Sequence, residues 1–194
     1  MIYFYPNRPI LLAPDHEKVG SLSKNPNWIA EKKWNGDRLV LLYDGKFLFC
    51  NRNKSEFKRY TPTREVLEEL KSLDLPKNTQ LDGELVHNKT KDIKHQLKIY
   101  DIYTYDNEKV RLPLLRRKRL LKRIFSNKQF IHLERVKHYK SNFYKVFLKL
   151  TKHDSAIEGL VMKDLTGMIT WNPMKSVDVA WQIKIRKESK NYKF

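Results

Sequence analysis

Four short polar clusters interrupt apolar stretches of this chain. They read Lys33-Trp34-Asn35-Gly36-Asp37-Arg38, Leu81-Asp82-Gly83-Glu84-Leu85, Ile157-Glu158-Gly159-Leu160-Val161-Met162-Lys163 and Trp181-Gln182-Ile183-Lys184-Ile185-Arg186. Charges set among apolar residues cost free energy unless they face a ligand or one another. The set comprises a lysine, two glutamates, several further cations and nearby aromatics. It suits phosphoryl or nucleotidyl transfer, which needs cations on phosphate oxygens, carboxylates for a divalent metal and, in one version, a lysine nucleophile. Other chemistries lack their signatures. There is no Gly-x4-Gly-Lys-Ser/Thr loop, no Gly-x-Gly-x-x-Gly and no Gly-x-Ser-x-Gly elbow. The six histidines show no paired spacing suited to zinc.

Strands must carry most of these clusters. Trp28 to Lys33, Asp37 to Tyr43, Lys46 to Cys50, Gln80 to Val86, Leu97 to Tyr103, Gly159 to Lys163 and Ala180 to Arg186 read as strands. In a strand, Lys184 and Arg186 share one face and Ile183 and Ile185 the other. By the same alternation Lys32 points away from the face that holds Lys33. Asp44-Gly45 predicts a tight type I′ hairpin. Thr61-Pro62 predicts an N-cap and first-turn proline, with a helix running to about Leu70. Leu114, Leu115, Leu121, Ile124 and Phe125 form one apolar helical stripe, with Arg116, Arg117, Arg119, Lys122 and Arg123 opposite. Phe143 to Leu150 predicts another short helix. The mixture lacks regular β-α-β alternation, so the expected class is α+β.

Composition frames the partner. The chain has 194 residues, with 40 Lys+Arg against 22 Asp+Glu and a net charge of +18. A sequence pI near 9.9 predicts a polyanion partner, nucleic acid first. Eight basic residues and no acidic one lie between Lys109 and Arg123. The hydrophobic share of 40% is enough for a real core. One cysteine, Cys50, excludes an intramolecular disulfide framework. No apolar run approaches the roughly 18 residues of a spanning helix, and no secretory signal opens the chain. These readings predict a cytoplasmic protein, whether cellular or a viral or phage protein in its host, with no membrane partner.

In this order, the four clusters resemble the nucleotidyltransferase motifs of ATP-dependent DNA ligases, within the wider group that includes RNA ligases and mRNA-capping guanylyltransferases. The resemblance runs from about Pro9 to Arg186. Arg8 to Ala13 is similar to the family's lead-in, and Tyr100-Asp101-Ile102 with Leu112 to Lys118 is similar to the segment after its third motif. These favour DNA ligase within the group. The resemblance implies a nucleotidyltransferase (adenylation) domain with mainly antiparallel sheets flanked by helices, ATP-grasp-like; the OB-fold that follows this domain in DNA ligases is expected to be missing, because only eight residues follow Arg186. It implies ATP as cofactor with Mg²⁺ or Mn²⁺, and nicked double-stranded DNA as the partner of a monomer acting in DNA repair or replication.

Roles follow from the same resemblance. Lys33 would attack the α-phosphorus of ATP and hold AMP. Gly36 would allow a tight turn near the nucleotide. Arg38 would contact the ribose or the strand end, and Arg52 would bind phosphate. Glu84 would hold the ribose or a metal-bound water, and Glu158 would support the metal. Tyr100 would stack on adenine, with Glu31 lining the base pocket. Lys163 and Lys184 would hold the α-phosphate. Apart from the resemblance, the charge pattern makes Arg116, Arg117 and Arg119 of the basic helix, with Arg186, Lys187 and the tail cations Lys190 and Lys193, the expected contacts to DNA phosphates.

Two positions depart from the family pattern. Asn35 stands where aspartate is usual, removing a negative charge while keeping the side chain's shape. Arg186 stands where a second lysine is usual, keeping a charge that does not give up a proton near neutral pH. Only eight residues follow Arg186, so the whole chain is expected to be one adenylation domain, either trimmed or naturally compact. RNA ligation or RNA-end repair is the alternative enzymatic reading. A non-catalytic nucleic-acid-binding module derived from a ligase is the alternative of another class.

Overall fold

The computed structural model describes residues 2–126 and 128–188. Lys190 and Lys193 lie outside the described residues. The elements are β1 Arg8–Leu11, α1 His16–Lys24, β2 Trp28–Trp34, β3 Asp37–Tyr43, β4 Phe47–Cys50, α2 Arg64–Ser72, β5 Thr79–Val86 and β6 Gln96–Tyr105. There follow β7 Glu108–Lys109, α3 Leu114–Ile124, β8 Leu133–Arg135, β9 His138–Tyr139, α4 Phe143–His153, β10 Ile157–Asp164 and β11 Asp178–Arg186. This is the mixed α+β composition expected.

Two sheets form. One runs β1-β11-β10-β2-β9 and the other β4-β3-β5-β6-β7, with β8 against β6. Most pairs are antiparallel, but β1 with β11 and β6 with β8 are parallel. Each sheet has its own helix layer. Leu39, Leu41, Leu81, Leu97 and Ile99 pack with Val66 and Leu70 of α2 and Leu121 of α3. Ala30, Leu160, Met162 and Ile185 pack with Val19 of α1 and Phe143 and Phe147 of α4. A third cluster, of Trp34, Val86, Tyr100, Val136, Ala156 and Ile157, joins the two sheets.

The continuous apolar run of β3 has a simple cause. Leu39 and Leu41 face the α2 layer, whereas Val40 and Leu42 face Tyr3 and Cys50 on the other side. The hairpin to β4 forms as predicted, but its turn differs. Tyr43 pairs with Phe47, so residues 44–46 make the connection. Gly45 alone of these three has a left-handed φ, at 80°. A type I′ turn needs two such residues.

The start of α2 also differs. Its cap is Thr63, whose hydroxyl accepts from the Val66 amide at 3.4 Å, so Thr61 and Pro62 precede the helix. The larger correction concerns α3. Its buried residues are Leu114, Arg117, Lys118 and Leu121, an i, i+3, i+4, i+7 face. Leu115, expected inward, is 39% exposed. Arg117 is completely buried and therefore does not meet a surface phosphate. Its Nε and Nη2 each donate to Asp101 at 2.8 Å, and its Nη1 donates to the carbonyls of Leu112 and Gly167. Arg116 and Arg119 remain exposed.

Candidate functional site

The site lies where the two sheets meet. Strand β2 belongs to one sheet and β3 to the other, so the two-residue turn Asn35-Gly36 carries the chain across. Lys33 stands just before that crossing and Arg38 just after it. Gly36 is needed there for its size. A Cβ would sit 2.6 Å from both Cγ of Glu84 and the Leu85 carbonyl oxygen. The first two clusters therefore pack directly on each other. Antiparallel pairing brings in the third and fourth clusters. Lys33 lies opposite Gly159 and Glu31 opposite Val161, while Val161 in turn lies opposite Lys184. Gly159 also permits close approach, since a Cβ there would come within 2.0 Å of the Ile185 carbonyl oxygen.

A cavity of about 60 Å³ opens at this junction, lined by Glu31, Lys33, Arg38, Glu84, Tyr100 and Lys163. Six residues singled out from the sequence thus line one space. Its floor is a set of satisfied charges. Glu31 is fully buried and pairs with both Lys118 and Lys163, the latter at 2.7 Å. Burial pushes the Glu31 carboxyl up, but the two ammonium groups outweigh it and hold it below the usual range. Lys118 also donates to the Tyr100 carbonyl at 2.6 Å. Burial lowers the Lys118 pKa despite Glu31. Arg38 binds Asp82 through two bonds, at 2.6 and 2.5 Å. Both Arg38 and Lys163 lie over the Tyr100 ring, at 5.8 and 5.2 Å from its centre.

The mouth of the cavity is different. Lys33 Nζ donates to Glu158 Oε2, and these side chains are 23% and 20% exposed. Arg186 Nη2 reaches the same oxygen at 3.3 Å. Burial lowers the Lys184 pKa, and the Lys33 and Arg186 charges lower it further. Two cations, Lys33 and Arg186, thus share one carboxylate, and Lys184 lies close enough for both of their charges to act on it. Such an excess of positive charge is an anion site by electrostatics. Lys32 occupies other surroundings, with its ammonium 5.3 Å from the centre of the Trp34 ring.

Glu84 has unusual surroundings. Burial raises its pKa to about 7, against the pull of Arg38, Lys33 and Lys89 and with a push from Glu158. Two carboxylates that oppose each other's ionisation, offering only oxygen donors, fit a hard divalent cation. Among the described residues no group of three or more His, Cys, Asp or Glu converges on one point. A cation here would therefore keep water and phosphate as most of its ligands.

Other predicted residues lie elsewhere. Arg52 is exposed and lines a separate groove of about 430 Å³ with Arg8 and Lys175, outside the cavity. Lys187 follows β11, its backbone amide held by the Glu158 carbonyl at 2.9 Å. Sequence reasoning missed Asp82 as the partner of Arg38 and Lys118 as the partner of Glu31. Gln182, buried opposite Lys163, was also missed as a lining residue. The place of Lys118, four residues after Leu114, was a readable signal for burial.

Comparison with known proteins gives three results. Residues 11–96 match the family described as ATP dependent DNA ligase domain. None of the curated protein sequences matches the chain. Solved structures match across most of it. A mycobacterial DNA ligase D complexed with ATP and MES shares 20% identity, covering 92% of this chain and 60% of its own, with a TM-score of 0.64. The structure named Pmar-Lig_PreS3 shares 20%, covering 95% and 47%, with a TM-score of 0.61. The ATP-dependent DNA ligase of bacteriophage T7, in complex with ATP, shares 17%, covering 94% and 68%, with a TM-score of 0.54. At such identity the likeness is one of fold. The chain spans about half the length of Pmar-Lig_PreS3.

Proposed function

We propose that this chain, whose residues 11–96 match the ATP dependent DNA ligase domain and whose fold is similar to ligase adenylation domains, seals nicks in duplex DNA through a lysyl-AMP intermediate. The observation that carries the proposal is the pairing of Lys33 and Arg186 with one partly exposed carboxylate, Glu158, with Lys184 close to both cations, beside a cavity lined by Tyr100 and Arg38.

In the first step the neutral Lys33 amine attacks the α-phosphorus of ATP. A nitrogen–phosphorus bond forms, the bond to pyrophosphate breaks, and the amine proton leaves to solvent. Lys184 and Arg186 would neutralise charge on the transferring phosphate. Lys163 is tied to Glu31 and presents its charge along the Tyr100 ring, so it holds position as charge moves. AMP then passes to a 5′-phosphate, and a 3′-hydroxyl displaces it to join the strands. Glu84 and Glu158 are the residues that would hold Mg²⁺, which when bound would offset charge on the phosphate oxygens.

A cavity of about 60 Å³ is far below the roughly 300–1,000 Å³ of ligand pockets, so nucleotide entry has to part side chains. The Lys33–Glu158 pair is the one to yield. It is partly exposed, whereas the pairs beneath it are buried. Its opening also frees the nucleophile.

The test is covalent labelling. Incubation with α-labelled ATP and Mg²⁺ should label the protein, and Lys33→Ala should remove the label. Full labelling of that variant would falsify the assignment. Sealing of a singly nicked duplex, compared across DNA, RNA and hybrid strands, then fixes the substrate, and a clear preference for RNA strands overturns the choice of DNA.

A further inference from the structure

The segment joining β5 to β6, residues 87–95, is fastened onto itself. Lys94 Nζ donates to the carbonyls of His87 and Thr90, at 2.8 and 2.7 Å. The Thr90 hydroxyl donates to the Ile93 carbonyl at 2.6 Å, and the His95 amide donates to His87 Nδ1 at 3.2 Å. The His87 and His95 rings close the base, 4.3 Å apart. A loop held in this way can place a side chain. The one it places on the site is Lys89. Its Nζ donates to the Gly36 carbonyl at 2.6 Å and pairs with Asp37 Oδ1 at 2.9 Å.

Its target is the crossing between the sheets. β2 hydrogen-bonds to β10 and β9, and β3 to β4 and β5, so no ladder ties β2 to β3. The distance from Lys33 to Arg38 and Glu84 depends on the Asn35-Gly36 turn and on side-chain packing between sheets. Lys89 reaches that turn from the six-stranded sheet and bonds to both of its exit groups. With Gly36 already against Glu84 and Leu85, the turn is gripped from two sides.

We propose that Lys89 is a positioning residue for the transfer chemistry, holding the inter-sheet turn so that Lys33 on one sheet stays in register with Arg38 and Glu84 on the other. This rests on the reading of Lys33 as the nucleotidyl acceptor. A misplacement of about 1 Å at a reacting centre costs as much as 100-fold in rate. Half of the Lys89 side chain is exposed, so its role is geometric more than cohesive. Asn35 strengthens the argument. It leaves Asp37 as the acidic side chain of this turn, and Lys89 engages it.

The test compares wild type, Lys89→Met and Lys89→Arg in single-turnover labelling with α-labelled ATP. Amide exchange is followed in parallel at Gly36 and Asp37. Lys89→Met is expected to label about 10-fold more slowly with an unchanged circular dichroism spectrum. Lys89→Arg should restore the rate and the slow exchange at the turn. Superimposable rates for Lys89→Met and wild type overturn the proposal. If wild type forms no adduct, the transferase reading fails, and the exchange measurements decide Lys89 alone. Faster exchange at the turn in Lys89→Met upholds the grip, and unchanged exchange overturns it.

Discussion

The floor and the mouth of the cavity use the same residue types to opposite ends. At the floor, Glu31 with Lys118 and Lys163, and Asp101 with Arg117, are buried and multiply bonded. At the mouth, Lys33 and Arg186 pair with Glu158 and Lys184 lies near them, all with part of their surface in water. A buried pair has no solvent to replace a lost partner, so it is a fixed strut. A partly exposed pair exchanges one partner for water or phosphate at small cost. In the proposed reaction, the charges that must change partners are those at the rim.

The comparison breaks most visibly through Arg117. Arg117→Ala leaves the Asp101 carboxylate buried without its partner, and stability should fall by about 3–5 kcal/mol in urea unfolding. A loss under about 1 kcal/mol would show that the floor is no more rigid than the mouth. Glu158→Gln probes the other region. Stability should change by less than about 1 kcal/mol, while the labelling rate should fall by about 100-fold, or about 2.7 kcal/mol of barrier. Equal effects on folding and labelling would erase the distinction.

Glu84 lies between the two regions and supplies a pH signature. An ordinary glutamate titrates near 4.5, and here the native value is about 7. Between those values the native state keeps a proton that the unfolded state releases. Stability should therefore fall as pH rises through that window. Labelling should instead increase as pH passes about 7, because the ionised carboxylate is the form that accepts a ribose hydroxyl or a metal-bound water. Glu84→Gln should flatten both trends, read by thermal melts and single-turnover labelling. The smallest effect belongs to the outer face of α3. Replacing Arg116 and Arg119 together should leave stability within about 0.5 kcal/mol. It should reduce the slope of DNA affinity against salt by about 1 to 2, read by fluorescence anisotropy. An unchanged slope rejects that face as a DNA contact.

Much of the architecture was legible because apolar spacing is a strong signal. The strands around Trp28, Asp37, Gln80, Leu97, Gly159 and Ala180 and the helices near Leu114 and Phe143 all form, with ends shifted by a few residues. β1, α1, β7, β8 and β9 were not anticipated. β7 and β9 are two residues long and β8 three, too short for periodicity to register. α1 carries few apolar residues, and only Val19 is buried. The buried face of α3 departs from its apolar stripe, because hydrophobicity alone does not decide burial there. Position relative to Leu114 and Leu121 was the better guide, since two cations with waiting carboxylates are as buried as leucines.

The sequence by itself determined which chemical groups this protein has and the order in which strands present them. The ligase resemblance of its clusters agrees with the family match over residues 11–96, although the third and fourth clusters lie beyond that match. Only the tertiary structure decided how the groups divide. Tyr100 shows why. In the β5–β6 pairing, Gly83 lies opposite Ile99 and Asp82 opposite Asp101, so a bulge falls at Tyr100. Leu97, Ile99 and Ile102 all reach the same core across that shift. The break in alternation leaves the Tyr100 ring to the cavity and the Asp101 carboxylate to Arg117. Local spacing encodes which way a side chain points along one strand. Whether a charge becomes a strut or a reactant depends on the partners and the water that other strands and helices bring or exclude.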